Sequence, residues 1–267
     1  MADLVALKAA NAKRWANAKT TRPFGAVAGR LVAPQAKSIY QSVSSKTGVP
    51  WYFIAVVHQR ESSLDWAGSL AQGDPWNRES VHVPAGRGPF NSWEDAAVDA
   101  LVNCAPFAAR NKDWSIGGTL TKLEEYNGLG YASGPVTRDA NGNVIARYPP
   151  QASPYIWSGT DQYKSGKYTR DGFFDPNAVD QQLGCAGLLM AMQTLDPSIK
   201  FGTKTSTTTK ATGTIAAGAG AAVAAHQMGF SMTTVLLIGA AAAAGFAGCW
   251  FAKDHILAWY TAVRAKL

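Results

Sequence analysis

Glu61 is the residue in this chain best placed for acid chemistry. It follows an apolar run, Trp51, Phe53, Ile54, Ala55, Val56 and Val57, that passes through His58, Gln59 and Arg60. A carboxyl at the edge of a buried helix is partly stripped of water. Desolvation disfavours the charged form, so its pKa is expected to rise. An acid that keeps its proton near neutrality can protonate a leaving oxygen. Ser62, the next residue, is a candidate to orient it. The plainer reading is an exposed glutamate in the last turn of a helix.

Cleavage between two sugars also needs water to be activated or positive charge to be stabilised, and a second carboxylate can do either. Asp74 lies in the loop string QGDPW, and a loop can fold it back across a cleft. Asp65 and Glu79 compete with it. Asp before Pro is also ordinary turn chemistry. In EEYNGLGY, Tyr126 and Asn127 offer hydrogen bonds, and Gly128 and Gly130 permit close approach of a ligand. Tyr155, Trp157, Tyr163 and Tyr168 follow in SPYIWSGTDQYKSGKY. Aromatic faces stack on sugar rings while polar tips bond hydroxyls. A core aromatic cluster is the alternative, and for Trp157 the two readings stand level.

Several other chemistries lack their motifs. There is no HExxH, GxSxG, Walker loop or dinucleotide fingerprint. His58 and His82 are available to Cys104 for a cysteine hydrolase. Cys104, however, falls on an apolar helical face, a poor place for a reactive thiolate. Cys104, Cys185 and Cys249 lack CxxC spacing. Cys104 and Cys185 either pair, if they meet in space, or stay as isolated buried thiols. No metal or cofactor is expected.

The elements that must hold these residues read as mainly helical. Ala33–Thr47 has helical spacing and ends at Gly48. Pro50 then opens the helix that carries Glu61. Ser92 with Asp95 makes a capping pattern before WEDAAVDALVNC. Further helices are expected over 116–125 and from Asn177 and Asp180 through AVDQQLGCAGLLMAMQTL. The Gly/Pro-rich stretch SLAQGDPWNRESVHVPAGRGPF reads as a long loop or a short β-excursion. A surface hairpin is expected to turn at Asn141 and Gly142.

The 267 residues are 47% hydrophobic and 16% charged, enough apolar material for a packed core. The net charge of +7 favours anionic partners in general. Nine Lys or Arg and one acid, Asp3, fall within residues 1–60. No dense basic run occurs, so nucleic acid is not an expected partner. Nothing in the sequence specifies an oligomeric state.

Four regions follow from these patterns: a basic N-terminal arm or helix over 1–34, a main domain over 35–199, a Thr-rich linker over 200–212, and an Ala/Gly-rich segment over 213–267. Within the last, the eighteen residues 235–252 carry no charge and end in Trp250 and Phe251 before Lys253. That length suits a transmembrane helix with an interfacial aromatic end. A buried Ala-rich hairpin is the alternative. The N-terminus lacks a continuous apolar stretch, so no cleavable signal peptide is expected.

The ordered set of Glu61-Ser62, Gly73-Asp74-Pro75, Tyr126-Asn127-Gly128 and Ser153-Pro154-Tyr155, with HVPAGRGPF and SWEDAAVDAL between, resembles the lysozyme-like superfamily. It is similar to soluble lytic transglycosylases, goose-type lysozymes and phage or bacterial endolysins over roughly residues 35–197. The resemblance implies an α-rich fold of two lobes with a cleft between them. It implies Glu61 as general acid, with substrate contacts from Tyr126 and Asn127. The implied substrate is the peptidoglycan glycan strand, in a bacterial or phage setting at the cell envelope. One departure stands out. The Gly-Leu-Met-Gln block usual soon after Glu-Ser in transglycosylases is LAQGDPWN here. Two outcomes therefore stay open. Asp74 activates water and a reducing sugar forms, or the substrate's acetamido group assists and a 1,6-anhydro sugar forms.

Overall fold

The structure, a computed structural model, describes residues 2–82 and 84–202. They belong to one compact unit spanning Met1–Thr205. The expected membrane helix over 235–252 lies outside the described residues. Among the described residues no helix is long and apolar enough to cross a membrane.

The fold is mainly helical, and one helix organises it. The helix α4 (Trp51–Ser62) buries seven consecutive residues, Tyr52 to His58. Burial on every side marks a helix enclosed by others rather than lying on a surface. Its enclosing partners are α3 (Pro34–Thr47), α6 (Ile116–Asn127) and α9 (Cys185–Leu195). Ile54, Val56 and Val57 are modest helix formers. Burial of each, worth roughly 1.5–3 kcal/mol, outweighs that propensity. Pro50 starts the helix as its N-cap residue. Gly48 ends α3 with φ of 74°, so the chain turns sharply from one helix into the next.

The first 34 residues are more than an arm. Here α1 (Leu4–Asn17) starts at Asp3, whose carboxylate accepts from the Val5 and Ala6 amides. It packs along α6, and Asn11 is fully buried against Thr121. The short α2 (Gly25–Leu31) packs on α9. The contact is close because position 187 is glycine. A Cβ there would sit 2.1 Å from the Phe24 ring.

The helix α5 (Trp93–Asn103) begins as its sequence predicts, with the Ser92 hydroxyl accepting from the Asp95 amide at 3.1 Å. Between α4 and α5 the described chain is loop, tied by an isolated bridge between Gly68 and Pro75 and by main-chain bonds such as those from the Ser80 amide to Arg87 and from the Phe90 amide to Trp76. The 130–176 stretch is more ordered than its composition suggests. It holds two short helices, α7 (Gly130–Ser133) and α8 (Pro154–Trp157), and two antiparallel hairpins. One hairpin pairs β1 (Val136–Arg138) with β2 (Val144–Arg147), turning through Gly142 at φ 83°. The other pairs β3 (Lys167–Arg170) with β4 (Phe173–Asp175). They are tied by the Arg138 amide donating to the Gly172 carbonyl at 2.7 Å. Tyr131, Tyr148 and Tyr168 surround the buried Phe174 ring between them.

Two expectations are corrected. The helix expected from Asn177 and Asp180 starts at Cys185 instead. The intervening residues are held as loop because Asp180 is drawn inward to Arg60 and Lys167. Cys104 and Cys185 do not pair; both are free, buried thiols.

The Phe24–Gly187 contact makes a direct test of this packing. Gly187→Ala is expected to destabilise the chain by about 1–3 kcal/mol through overpacking, read as a lower midpoint in chemical unfolding. An unchanged midpoint would show that the α2–α9 contact is not close-packed in solution.

Candidate active site

Glu61 sits in the last turn of α4, where the buried helix reaches the edge of the core. Burial pushes its pKa up to about 7, against the opposing pull of a Tyr155 hydrogen bond and the Arg60 charge. The Tyr155 hydroxyl donates to Glu61 Oε1 at 2.8 Å. Tyr155 is itself buried, placed by α8, whose N-cap Ser153 accepts from the Tyr155 amide. The aromatic ring also lies under the Arg60 guanidinium, 4.7 Å from its centroid.

The helix end is fixed by backbone geometry. Ser63 and Leu64 both take positive φ, 55° and 66°. Such a conformation costs a non-glycine residue roughly 1–2 kcal/mol, and two together mark an imposed turn. The Ser63 amide reaches the Gln59 carbonyl, and the Leu64 amide reaches that of His58. The Ser62 hydroxyl donates to the carbonyls of His58 and Asp65. It closes this turn and is not the residue that orients Glu61; Tyr155 is. Sequence adjacency suggested Ser62, but the helix turns the two side chains apart.

Asp74 belongs to the loop that returns to α4. Gly73, at φ 76°, passes so close that a Cβ there would lie 2.7 Å from the Glu61 carbonyl oxygen. The Asp74 carboxylate is fully engaged. Oδ2 accepts from the Val81 and His82 amides, both at 2.9 Å, and Oδ1 meets the His82 ring at 2.6 Å. The His82 amide bond, with the ring contact and the Val81 amide, holds its pKa below the usual carboxylate range despite partial desolvation. Asp65 is also spent locally, capping the Ala67 amide.

Tyr126 points its hydroxyl at the Leu70 carbonyl, 2.9 Å away, and burial, with the Glu61 charge adding to it, pushes its pKa up. Asn127 is exposed and donates to Ser153 at 3.3 Å. Trp157 is corrected: it is fully buried and cannot stack on a ligand. Its neighbours in SPYIW face the core because α8 is packed against α6 and α9. Tyr163 is likewise a core residue, bonded to the Asp180 amide. The cysteine alternative also fails. His58 is buried between Tyr40, 2.8 Å from Nδ1, and the Asp65 carbonyl, 3.1 Å from Nε2. Nε2 must donate to that carbonyl, so Nδ1 accepts from Tyr40. Burial lowers the His58 pKa to about 4, leaving it neutral. The Cys104 thiol is pushed up by burial and by Asp99.

Two features escaped the sequence reading. Glu124 is almost fully buried on α6, and burial lifts its pKa to about 8 against the opposing Arg14 charge and Ser153 hydrogen bond. Its helical phase with Gly117 and Leu120, both buried, was the available signal. The other is a buried ion cluster in which Asp180 binds Arg60 and Lys167, each at 3.1 Å. Burial opposes ionisation of Asp180, yet the two cations hold its pKa low. Among the described residues no three His, Cys, Asp or Glu side chains gather to hold a metal.

Two tests follow from these contacts. Tyr155→Phe removes the hydrogen bond that favours the Glu61 carboxylate, so the Glu61 pKa is expected to rise above about 7; carboxyl carbon NMR titration reads it, and an unmoved value would exclude the contact. For stability, native Glu124 keeps its proton to about 8 while the unfolded chain loses it near 4.5. The native state binds the extra proton between those values, so stability falls as pH rises through that window, by up to about 1.4 kcal/mol per pH unit for one group. Glu124→Gln is expected to flatten this fall, seen as a smaller drop in Tm between pH 5 and 8.

No protein-family model matches this chain, and neither a curated protein nor a solved structure matches it.

Proposed function

We propose that the chain is a glycosidase of peptidoglycan, cleaving the bond between N-acetylmuramic acid and N-acetylglucosamine with Glu61 as general acid. One observation carries this reading. Burial lifts the Glu61 pKa to about 7 in the last turn of a helix whose residues Tyr52 to His58 are all buried. A raised carboxyl pKa is what protonation of a glycosidic oxygen requires near neutrality. Because Tyr155 donates to Oε1, Oε1 plays the carbonyl part and the acid proton rides on Oε2. Oε2 is then the atom that gives its proton to the leaving sugar. Asn127, exposed and lining the groove that Tyr155 also lines, offers its amide to the substrate.

The second half of the reaction favours substrate assistance. Both oxygens of Asp74 are occupied by the Val81 and His82 groups. Its charge fixes the loop beside Glu61, and its lowered pKa makes it a weak base. In this reading the acetamido group of the substrate stabilises the anomeric carbon, and the Glu61 carboxylate then deprotonates the incoming hydroxyl. The product is a 1,6-anhydro sugar when that hydroxyl is the substrate's own. The same reading assigns residues 35–199 a lysozyme-like architecture of two lobes. The helices around α4 and the paired hairpins beside them support it. It also assigns the segment 235–252, outside the described residues, to holding the enzyme at the membrane of the cell envelope.

Glu61→Gln should lower kcat on purified walls by about 10²–10⁴-fold. Wild-type activity should decline as pH rises through about 7, where Glu61 loses its proton. Mass spectrometry of the products distinguishes anhydro from reducing ends. Full activity in Glu61→Gln would remove the assignment.

A further inference from the structure

The buried cluster of Arg60, Asp180 and Lys167 borders a groove of about 320 Å³. Tyr155 forms part of the same wall, and its hydroxyl reaches Glu61. The groove is therefore one residue away from the proposed acid. Its other walls come from Asn127, Gly128, Gly130 and Tyr168.

The charge of this groove is not balanced. Asp180 is one carboxylate between two cations. Its Oδ2 is taken by Arg60 and its Oδ1 by Lys167, so neither oxygen is left for a ligand. Arg60 is sequestered: it stacks on Tyr155, bonds the Leu183 carbonyl, and its side chain is 7% exposed. Lys167 differs, with 32% of its side chain exposed. An ammonium has three donors, and Asp180 takes one. The other two are left for a ligand, and Lys167 lines the groove. The Tyr168 hydroxyl accepts from the Val136 amide, which leaves its own proton to donate. The site thus presents donors and one surplus positive charge.

We propose that this groove is a subsite for a carboxylate carried on the glycan, recognised by Lys167 with Tyr168 beside it. The inference rests on the glycosidase reading for its substrate. The volume is about ten times the share of one water in the liquid, so it suits a carboxylate on a bulky group better than a free ion. In peptidoglycan such a group has one origin, the 3-O-lactyl substituent of muramic acid. It is either a free carboxylate or the attachment point of an acidic peptide. Neutral N-acetylglucosamine oligomers lack it. Lys167 thereby supplies discrimination between wall glycan and neutral glycan, while Asp180 holds its ammonium in position.

The experiment compares wild-type chain with Lys167→Met and Lys167→Arg on three substrates: peptide-bearing wall glycan, peptide-free wall glycan and N-acetylglucosamine oligomers. Lys167→Met is expected to lower the preference for acidic over neutral glycan, as a ratio of kcat/KM, by about 10-fold, mainly through KM. Lys167→Arg is expected to restore most of it. Loss on the peptide-free glycan assigns the lactyl carboxylate; loss only on the peptide-bearing glycan assigns the peptide. An unchanged ratio overturns the subsite, as does an equal loss on all three. If wild-type chain cleaves none of them, the glycosidase reading fails, and NMR titration tests the groove alone. N-acetylmuramic acid, but not N-acetylglucosamine, should then shift the amides of 127–131 and 167–168, and Lys167→Met should abolish the shifts. Their absence in the wild type overturns the proposal.

Discussion

A helix with no exposed side until its last turn sets the terms for everything around it. Tyr52 through His58 are all buried, so α4 cannot slide or rotate without losing contacts on several faces at once. Whatever follows His58 emerges at a fixed height and angle from the core. Arg60 and Glu61 are the first ionisable groups to emerge, and both do so while still partly desolvated. Their opposite fates come from their neighbours. Arg60 finds a buried carboxylate in Asp180 and pairs with it. Glu61 finds a phenol, and burial pushes its pKa to about 7. The C-terminal end of a helix carries partial negative charge, which also disfavours a carboxylate there.

The surrounding polar groups are mostly occupied in keeping that end in place. His58 joins α3, through Tyr40, to the turn after α4, through the Asp65 carbonyl. The turn itself carries two strained residues, Ser63 and Leu64, and is held by Ser62 and by main-chain bonds. The loop of Gly73 and Asp74 is pinned from the far side by the 81–82 amides. A carboxylate bound by two amides and an imidazole is a structural clasp first. These interactions all act on position, and among the described residues they leave the Glu61 carboxyl with one hydrogen bond, from Tyr155. One donor on one oxygen is the arrangement that leaves the other oxygen free for proton transfer.

Much of this was legible in the residues, and the failures share a cause. The apolar run into Glu61, the Gly48–Pro50 break, the Ser92 cap and the Asn141–Gly142 turn are local signals, and each element begins or turns where they predict. What could not be read locally depended on partners distant in sequence. Asp180 looked like a helix start and is instead the counter-ion of a residue 120 positions earlier. Trp157 looked equally suited to a binding face or a core, and its burial was decided by α6 and α9. Ser62 looked like the natural partner of Glu61 because it is adjacent, while the actual partner, Tyr155, is 94 positions away. Adjacent residues on a helix point about 100° apart, so adjacency was weak evidence for contact.

Glu61 and Glu124 sharpen what burial alone means. Both are glutamates at the edge of the same core, and burial raises both pKa values, to about 7 and about 8. Only Glu61 adjoins the groove wall, through Tyr155; Glu124 is 2% exposed and faces Ser153 and Arg14. A raised pKa is therefore a property of the core boundary and not by itself a sign of catalysis. The distinguishing feature is access combined with a single fixed donor. Glu124 instead lies beside Ser153, the residue that caps α8 and accepts from Asn127. Its neutral state lets α6 and α8 meet without a buried charge between them. The α8 cap in turn sets Tyr155, and Tyr155 sets Glu61. The acid enclosed in the core thus helps to position the one at its edge.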